Sequence, residues 1–131
     1  MVTRDTTWAT GTPCWVDMGV ADAAKAGAFY AALFDWEVRP GPPEAGGYAV
    51  CLKDGRRVAG IGPNMGPPGS PSTWTTYLAA DDAAKTAAEI KEAGGQVVIR
   101  PRSITSMGPM TTWPPASLIF AAVLAASSAA R

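Results

Sequence analysis

The chain has no histidine among its 131 residues. Histidine is the usual acid–base group near neutral pH and the commonest neutral metal ligand. Its absence removes Ser–His–Asp and Cys–His catalysis and every histidine-based zinc site. Cysteine is nearly as scarce: Cys14 and Cys51 are the two present, too few for a disulfide framework or a four-ligand structural metal site. A surplus of charge is missing too, since 11 Lys and Arg balance 11 Asp and Glu. Nothing is left over to neutralise phosphates, which argues against nucleic acid as a partner. Near-zero charge also gives little colloidal repulsion and is compatible with a homodimer. The longest apolar run, "ASLIFAAVLAASSAA" at 116–130, falls short of the ~20 residues a spanning helix needs. The opening "MVTRDTTWATGTPCW" carries no secretory apolar segment. These gaps set the expectation of a cytoplasmic protein with free thiols and no membrane partner.

What the chain does contain is a repeat. "DAAK" occurs at 22–25 and again at 82–85. With an offset of 60, Val16, Met18 and Val20 fall on Thr76, Leu78 and Ala80, Asp22 falls on Asp82, and Val38 on Val98. In both copies a short apolar run ends at an Asp, a helical pattern follows, and a Val-containing run comes next. Self-similarity of this kind is the signature of a duplicated unit. Two modules of ~60 residues are each marginal alone and gain by packing together.

The local patterns fill in each module. Residues 13–20 alternate, with Cys14, Val16, Met18 and Val20 on one side and Trp15, Asp17 and Gly19 on the other, as in a strand with one face on a core. Asp22 suits an N-cap, and the helix after it carries Ala26, Phe29, Tyr30, Leu33 and Phe34 on one stripe. Residues 37–47 are rich in Pro and Gly and read as a loop. Residues 48–62 read as a hairpin turning at Asp54–Gly55. "PNMGPPGSPS" at 63–72 reads as a linker. The second copy has a strand from Trp74, a helix with Ala88, Ile90 and Ala93 or nearby positions inward, and a stop at Gly94–Gly95. Strands are then expected in "QVVIRP", 102–113 and 116–124. The expected fold class is α+β, with two tandem βαβββ modules at about 12–63 and 73–125 and a short tail at 126–131.

Two such modules resemble the vicinal oxygen chelate superfamily, which holds glyoxalase I, the bleomycin-resistance proteins and the extradiol dioxygenases. The stretches that carry the resemblance are "GTPCWVDMGVADAAKAGAFYAALFDWEV", "GGYAVCLKDGRRVAGIGP" and "WTTYLAADDAAKTAAEIKEAGGQVV". They are most similar to an actinobacterial hydroxylase-like or antigen-like glyoxalase group, over about residues 12–101. Beyond residue 102 the chain departs from the pattern. Pro114, Pro115, Ala116 and Ser117 stand where the family has an Asp-Pro-x-Gly turn, and the aromatic end of the last strand is missing.

The resemblance implies a half-open barrel around a pocket, paired in a dimer. It also implies metal-ligand positions at Trp15, Ile61, Thr75 and Ala121, none of which is a metal ligand of the usual type. The implied branch is therefore one that uses no metal or other cofactor and binds a small hydrophobic or aromatic molecule, with antibiotic sequestration as one use. The alternative is a metal-independent isomerase or hydroxylase-like enzyme with Asp17 as general base beside Tyr48 or Tyr77.

Each candidate has a plainer reading beside the functional one. Trp15 stacks on a planar ligand or simply fills the barrel. Asp17, disfavoured inside a strand, binds a ligand or acts as a base, or else is a solvated strand-end charge or one paired with Arg56 or Arg57. Tyr48, Trp74, Thr75 and Tyr77 line a pocket with polar tips or pack as core. Cys51 lines the pocket or is an inert buried thiol. Met110 and Trp113, with Met107, form a soft wall or ordinary packing.

Overall fold

The computed structural model describes residues 8–97 and the backbone of 118–120. The chain forms two compact units. The first holds Trp15–Thr76, and the second holds residues 8–14 and 77–97 with the last strand.

The first unit runs β1 (Pro13–Val20, whose first two residues belong to the second unit), α1 (Ala23–Phe34), β2 (Glu37–Pro40), a 3-10 turn (Pro43–Ala45), β3 (Ala49–Lys53) and β4 (Arg56–Pro63). Its strands lie in the order β2-β3-β4-β1. Both β2–β3 and β3–β4 are antiparallel, and β1 runs parallel to β4 with Asp17 opposite Gly60 and Gly19 opposite Gly62. The order strand, helix, strand, strand, strand is the one expected of the first copy. The segment 37–47, expected as a loop, instead opens with β2. Val38 there pairs with Cys51, and its side chain reaches the core. Pro40 is tolerated because β2 sits at the sheet edge.

One face of this sheet is covered by α1. Val20, Cys51, Val58, Ala59 and Ile61 are buried there, with Val16, Met18, Ala23, Ala26, Tyr30, Trp36 and Val38 packed against them. The helix stripe differs from the expected one. Ala26 and Tyr30 do face the sheet, but Phe29 and Leu33 are 60% and 57% exposed. The inward position is Gly27, which is buried and closely approached by Val38. A glycine at the contact lets the helix sit close to the sheet and turns the bulky neighbours outward. Tyr30 then gathers the remaining aromatics, stacking with Phe34 and Trp36 and meeting Phe29 and Trp74 edge-on.

The β3–β4 hairpin turns at Asp54–Gly55, both with positive φ (51° and 73°), which suits the twist of paired strands. After β4, Asn64 clasps the Pro-rich segment: its amide donates to the Ser70 and Pro71 carbonyls and its side-chain oxygen accepts from Gly66 N–H.

The second unit contains most of β5 (Thr73–Ala80, whose first four residues belong to the first unit), α2 (Ala83–Glu92) and β6 (Leu118–Phe120). β6 lies antiparallel to β5, with Ala79 opposite Ile119. Gly11 N–H donates to the Ala79 carbonyl, and Ala79 N–H to that of Thr12. Helix α2 buries Ala83 and Ala87 with Ile90 and Val97 beside them, whereas Ala88 and Ala93, expected inward, are exposed. A run so rich in alanine carries little pattern to fix its phase. The helix ends in a Schellman arrangement, with Gly95 N–H on the Ile90 carbonyl, Gly94 N–H on that of Lys91, and Gly94 at φ 84°. Of the strands expected at 96–101 and 102–113, residues 98–113 lie outside the described residues, and Gln96 and Val97 are not in a strand.

Both helices start at an aspartate. Asp22 accepts one backbone bond, from Lys25 N–H, and Asp82 accepts two, from Ala84 and Lys85. Replacing Asp82 by Ala should cost about 1 kcal/mol, and Asp22→Ala less. Urea midpoints of the two variants check the order.

Candidate functional site

The face of the first unit opposite α1 is where the polar and aromatic groups of β1, β3 and β4 meet. Alternation along β1 turns Trp15 and Asp17 to this side while Val16, Met18 and Val20 pack under α1. Tyr48 leads into β3 and crosses β4 to reach them. It can do so because Gly60 and Gly62 present no side chains. A Cβ on Gly60 would overlap the Tyr48 hydroxyl, and one on Gly62 would stand 2.8 Å from the ring at Cδ2. The ring therefore rests on bare backbone.

Its hydroxyl sits between two partners. Trp15 Nε1–H donates to Tyr48 Oη at 3.1 Å. Tyr48 Oη–H donates to Asp17 Oδ2 at 3.4 Å. The second contact is long beside the about 2.5–3.0 Å usual for O–H···O bonds. All three side chains are half-buried, so the face presents two aromatic rings and a carboxylate. An arrangement of this kind can stack a planar ring and hydrogen-bond its edge.

The other predicted site residues are placed elsewhere. Cys51 is fully buried under α1, on the side of β3 away from Tyr48, and presents nothing to a ligand. Burial pushes its thiol up to about 11, and burial also raises the Cys14 thiol. Trp74 belongs to the α1 aromatic cluster, where its indole N–H donates to Tyr30 Oη at 3.1 Å. Thr75 is half-buried. Tyr77 lies in the second unit, where its carbonyl accepts from the Cys14 thiol at 3.4 Å. Met110 and Trp113 lie outside the described residues.

The positions that the resemblance assigns to metal ligands do not fit a divalent ion. The Trp15 indole offers only an N–H, which it spends on Tyr48. Ile61 is apolar and fully buried beneath α1. Thr75 offers one hydroxyl, and Ala121 lies outside the described residues. Among the described residues no group of three His, Cys, Asp or Glu side chains gathers.

Sequence reasoning overlooked Gly60 and Gly62. The available signal was the spacing in "VAGIGP": glycines two apart inside a strand mark a close approach on one face.

The profile of the Glyoxalase/Bleomycin resistance protein/Dioxygenase superfamily matches residues 14–108. The chain is 34% identical to the anthracycline biosynthesis protein DnrV of Streptomyces peucetius, a match covering 88% of this chain and 48% of DnrV. It is 33% identical to the anthracycline biosynthesis protein DauV of Streptomyces sp. (strain C5), over 82% of this chain and 44% of DauV. It is 36% identical to CFP32 of Mycobacterium bovis, over 77% of this chain and 40% of that protein. The chain thus spans about half the length of the curated relatives it matches. Among the described residues no helix is long and apolar enough to cross a membrane.

The glycine seat makes a sharp prediction. Gly60→Ala should lower stability by about 2 kcal/mol through overpacking against Tyr48. In a Tyr48→Ala background the same change should cost under about 0.5 kcal/mol. Equal costs in the two backgrounds, measured by urea denaturation, would place Tyr48 elsewhere. The Cys51 thiol gives a second. Its pKa is higher in the fold than the ordinary 9.0, so the stability it contributes is intact below pH 9 and is lost as pH climbs toward 11, by at most about 2–3 kcal/mol. Unfolding free energy should therefore fall more steeply from pH 8.5 to 10.5 in the parent protein than in Cys51→Ala.

Proposed function

The chain belongs to the Glyoxalase/Bleomycin resistance protein/Dioxygenase superfamily, and on that premise we propose that it binds a small planar aromatic molecule against the Trp15–Tyr48–Asp17 face. The observation that carries this reading is the seating of Tyr48. A ring laid flat on two glycines, with an indole and a carboxylate at its hydroxyl, gives a ligand an aromatic surface with a polar edge. Burying one further ring against it yields about 0.5–1.5 kcal/mol beyond the area term. The relatives DnrV and DauV are named for anthracycline biosynthesis. Anthracyclines are built on a fused planar ring system, which agrees in shape with such a face. The reading takes the protein as a cytoplasmic homodimer of duplicated βαβββ modules that needs no metal and serves by holding or sequestering its ligand.

The contact between Tyr48 and Asp17 favours a second reading, in which Asp17 takes a proton from the bound molecule and Tyr48 returns one. One experiment separates the two. The protein is titrated with 1,4-dihydroxyanthraquinone, followed by calorimetry, and the recovered compound is then analysed by mass spectrometry. Saturable binding that is lost in Tyr48→Ala, with the compound recovered unchanged, is the expected result. Conversion by the parent protein and not by Asp17→Asn would establish the enzyme. Absence of heat and of thermal stabilisation would overturn the binding reading.

A further inference from the structure

Helix α1 is apolar on nearly every side. Ala23, Ala26 and Tyr30 pack on the core, and Gly27 is buried. The opposite side carries Lys25, Ala28, Phe29, Ala32 and Leu33, all exposed. A helix that is apolar all round is ordinarily a buried helix. Helix α2 is built differently, since Lys85, Glu89, Lys91 and Glu92 are among its exposed residues. Phe34 and Trp74 extend the apolar surface of α1, because both pack against Tyr30, as Phe29 does. Phe29, Leu33, Phe34 and Trp74 are 60%, 57%, 47% and 41% exposed. At about 150–250 Å² for a whole aromatic side chain, these fractions leave roughly 400 Å² of apolar surface in water. Patches of that size are commonly interaction sites. With Ala28 and Ala32 added, the patch approaches the about 500 Å² per partner that a specific interface needs.

The charges of α1 indicate what covers it. Lys25 stands in the first turn, where the positive end of the helix dipole disfavours a cation. Among the described residues it has no ion-pair partner. Asp35 stands at the C-cap, where the negative end disfavours an anion. Its side chain is 96% exposed even though it pairs with Lys53. Each group is on the wrong end of its own helix and on the right end of an antiparallel neighbour. We propose that two copies of this chain pair through α1, antiparallel about a two-fold axis, with Phe29 and Leu33 buried at the contact and Lys25 set against the partner's Asp35. The contact rests on the homodimer of the reading above and gives it a surface. Lys25 and Asp35 lie equally far along the chain on either side of Tyr30. One axis at the level of Tyr30 therefore forms both charge pairs at once, as an isologous contact requires. Ala28 and Ala32 flank that level and are small enough for the two helices to close.

Sedimentation velocity of the full chain across a concentration series reads the dimer dissociation constant. The parent protein should be dimeric at micromolar concentration. Leu33→Lys puts a charge into the contact twice over, by symmetry, and should raise the constant at least about 100-fold. Lys25→Glu sets a like charge against the partner's Asp35 and should raise it about tenfold, although it suits the dipole of its own helix better. Lys85→Glu, the matching position of α2, should leave it within about twofold. All three positions are exposed, and unchanged far-UV circular dichroism verifies that the variants are folded. A parent protein still monomeric at about 100 μM would overturn the contact and the homodimer together. A dimer of unchanged constant in folded Leu33→Lys and Lys25→Glu would overturn the α1 contact and leave the homodimer standing. Equal weakening by Lys25→Glu and Lys85→Glu would overturn the pairing of Lys25 with the partner's Asp35. The ligand face lies on the other side of the sheet, so calorimetry with 1,4-dihydroxyanthraquinone tests it separately.

Discussion

Tyr48 has to lie flat across β4, and that requirement organises the open face of the first unit. The ring spans the width of one strand to bring its hydroxyl from β3 to β1. Any side chain at Gly60 would occupy the same space as that hydroxyl, and one at Gly62 would press on the ring. The parallel pairing of β1 with β4 then matters, because it sets Asp17 beside Gly60. A hydroxyl delivered over Gly60 arrives next to the carboxylate without further adjustment. Register, glycine and tyrosine act as one device, and none of the three is informative alone.

The opposite face obeys a different rule. There α1 needs apolar area and gets it from Val20, Cys51, Val58, Ala59 and Ile61. The helix approaches the sheet at Gly27, and Tyr30, at the edge of the core, packs with Phe34, Trp36 and Trp74. Cys51 and Tyr48 illustrate the division. They lie three residues apart and on opposite sides of the sheet. One is a thiol kept neutral by burial, and the other is a half-buried phenol at the centre of the face opposite α1.

Much of the first unit was legible because its signals are geometric. Alternation in β1 separated Trp15 and Asp17 from Val16 and Met18, and the structure keeps that separation. The Asp54–Gly55 turn and the two aspartate caps follow from backbone chemistry that few residues satisfy. Helix phase was less legible. Phe29 and Leu33 are apolar and sit at inward spacing, yet Gly27 takes the contact. A glycine that enables close packing scores as a breaker in any propensity argument. β2 was hidden for a related reason, since Pro40 and Gly41 mask four paired residues at a sheet edge. The site itself was half legible. Trp15, Asp17 and Tyr48 were named, but grouped with Cys51 and Trp74, because strand membership alone does not tell which face a distant residue shares.

The residues that remain on the open face limit what chemistry it can host. An indole, a phenol and a carboxylate supply stacking, one fixed hydrogen-bond direction and acceptor capacity. They supply no group that titrates near pH 7 when unperturbed, and no ligand set suited to a divalent ion. Superfamily membership gives this chain its scaffold, and the chemistry has to be argued from particular residues, since fold and chemistry are separable.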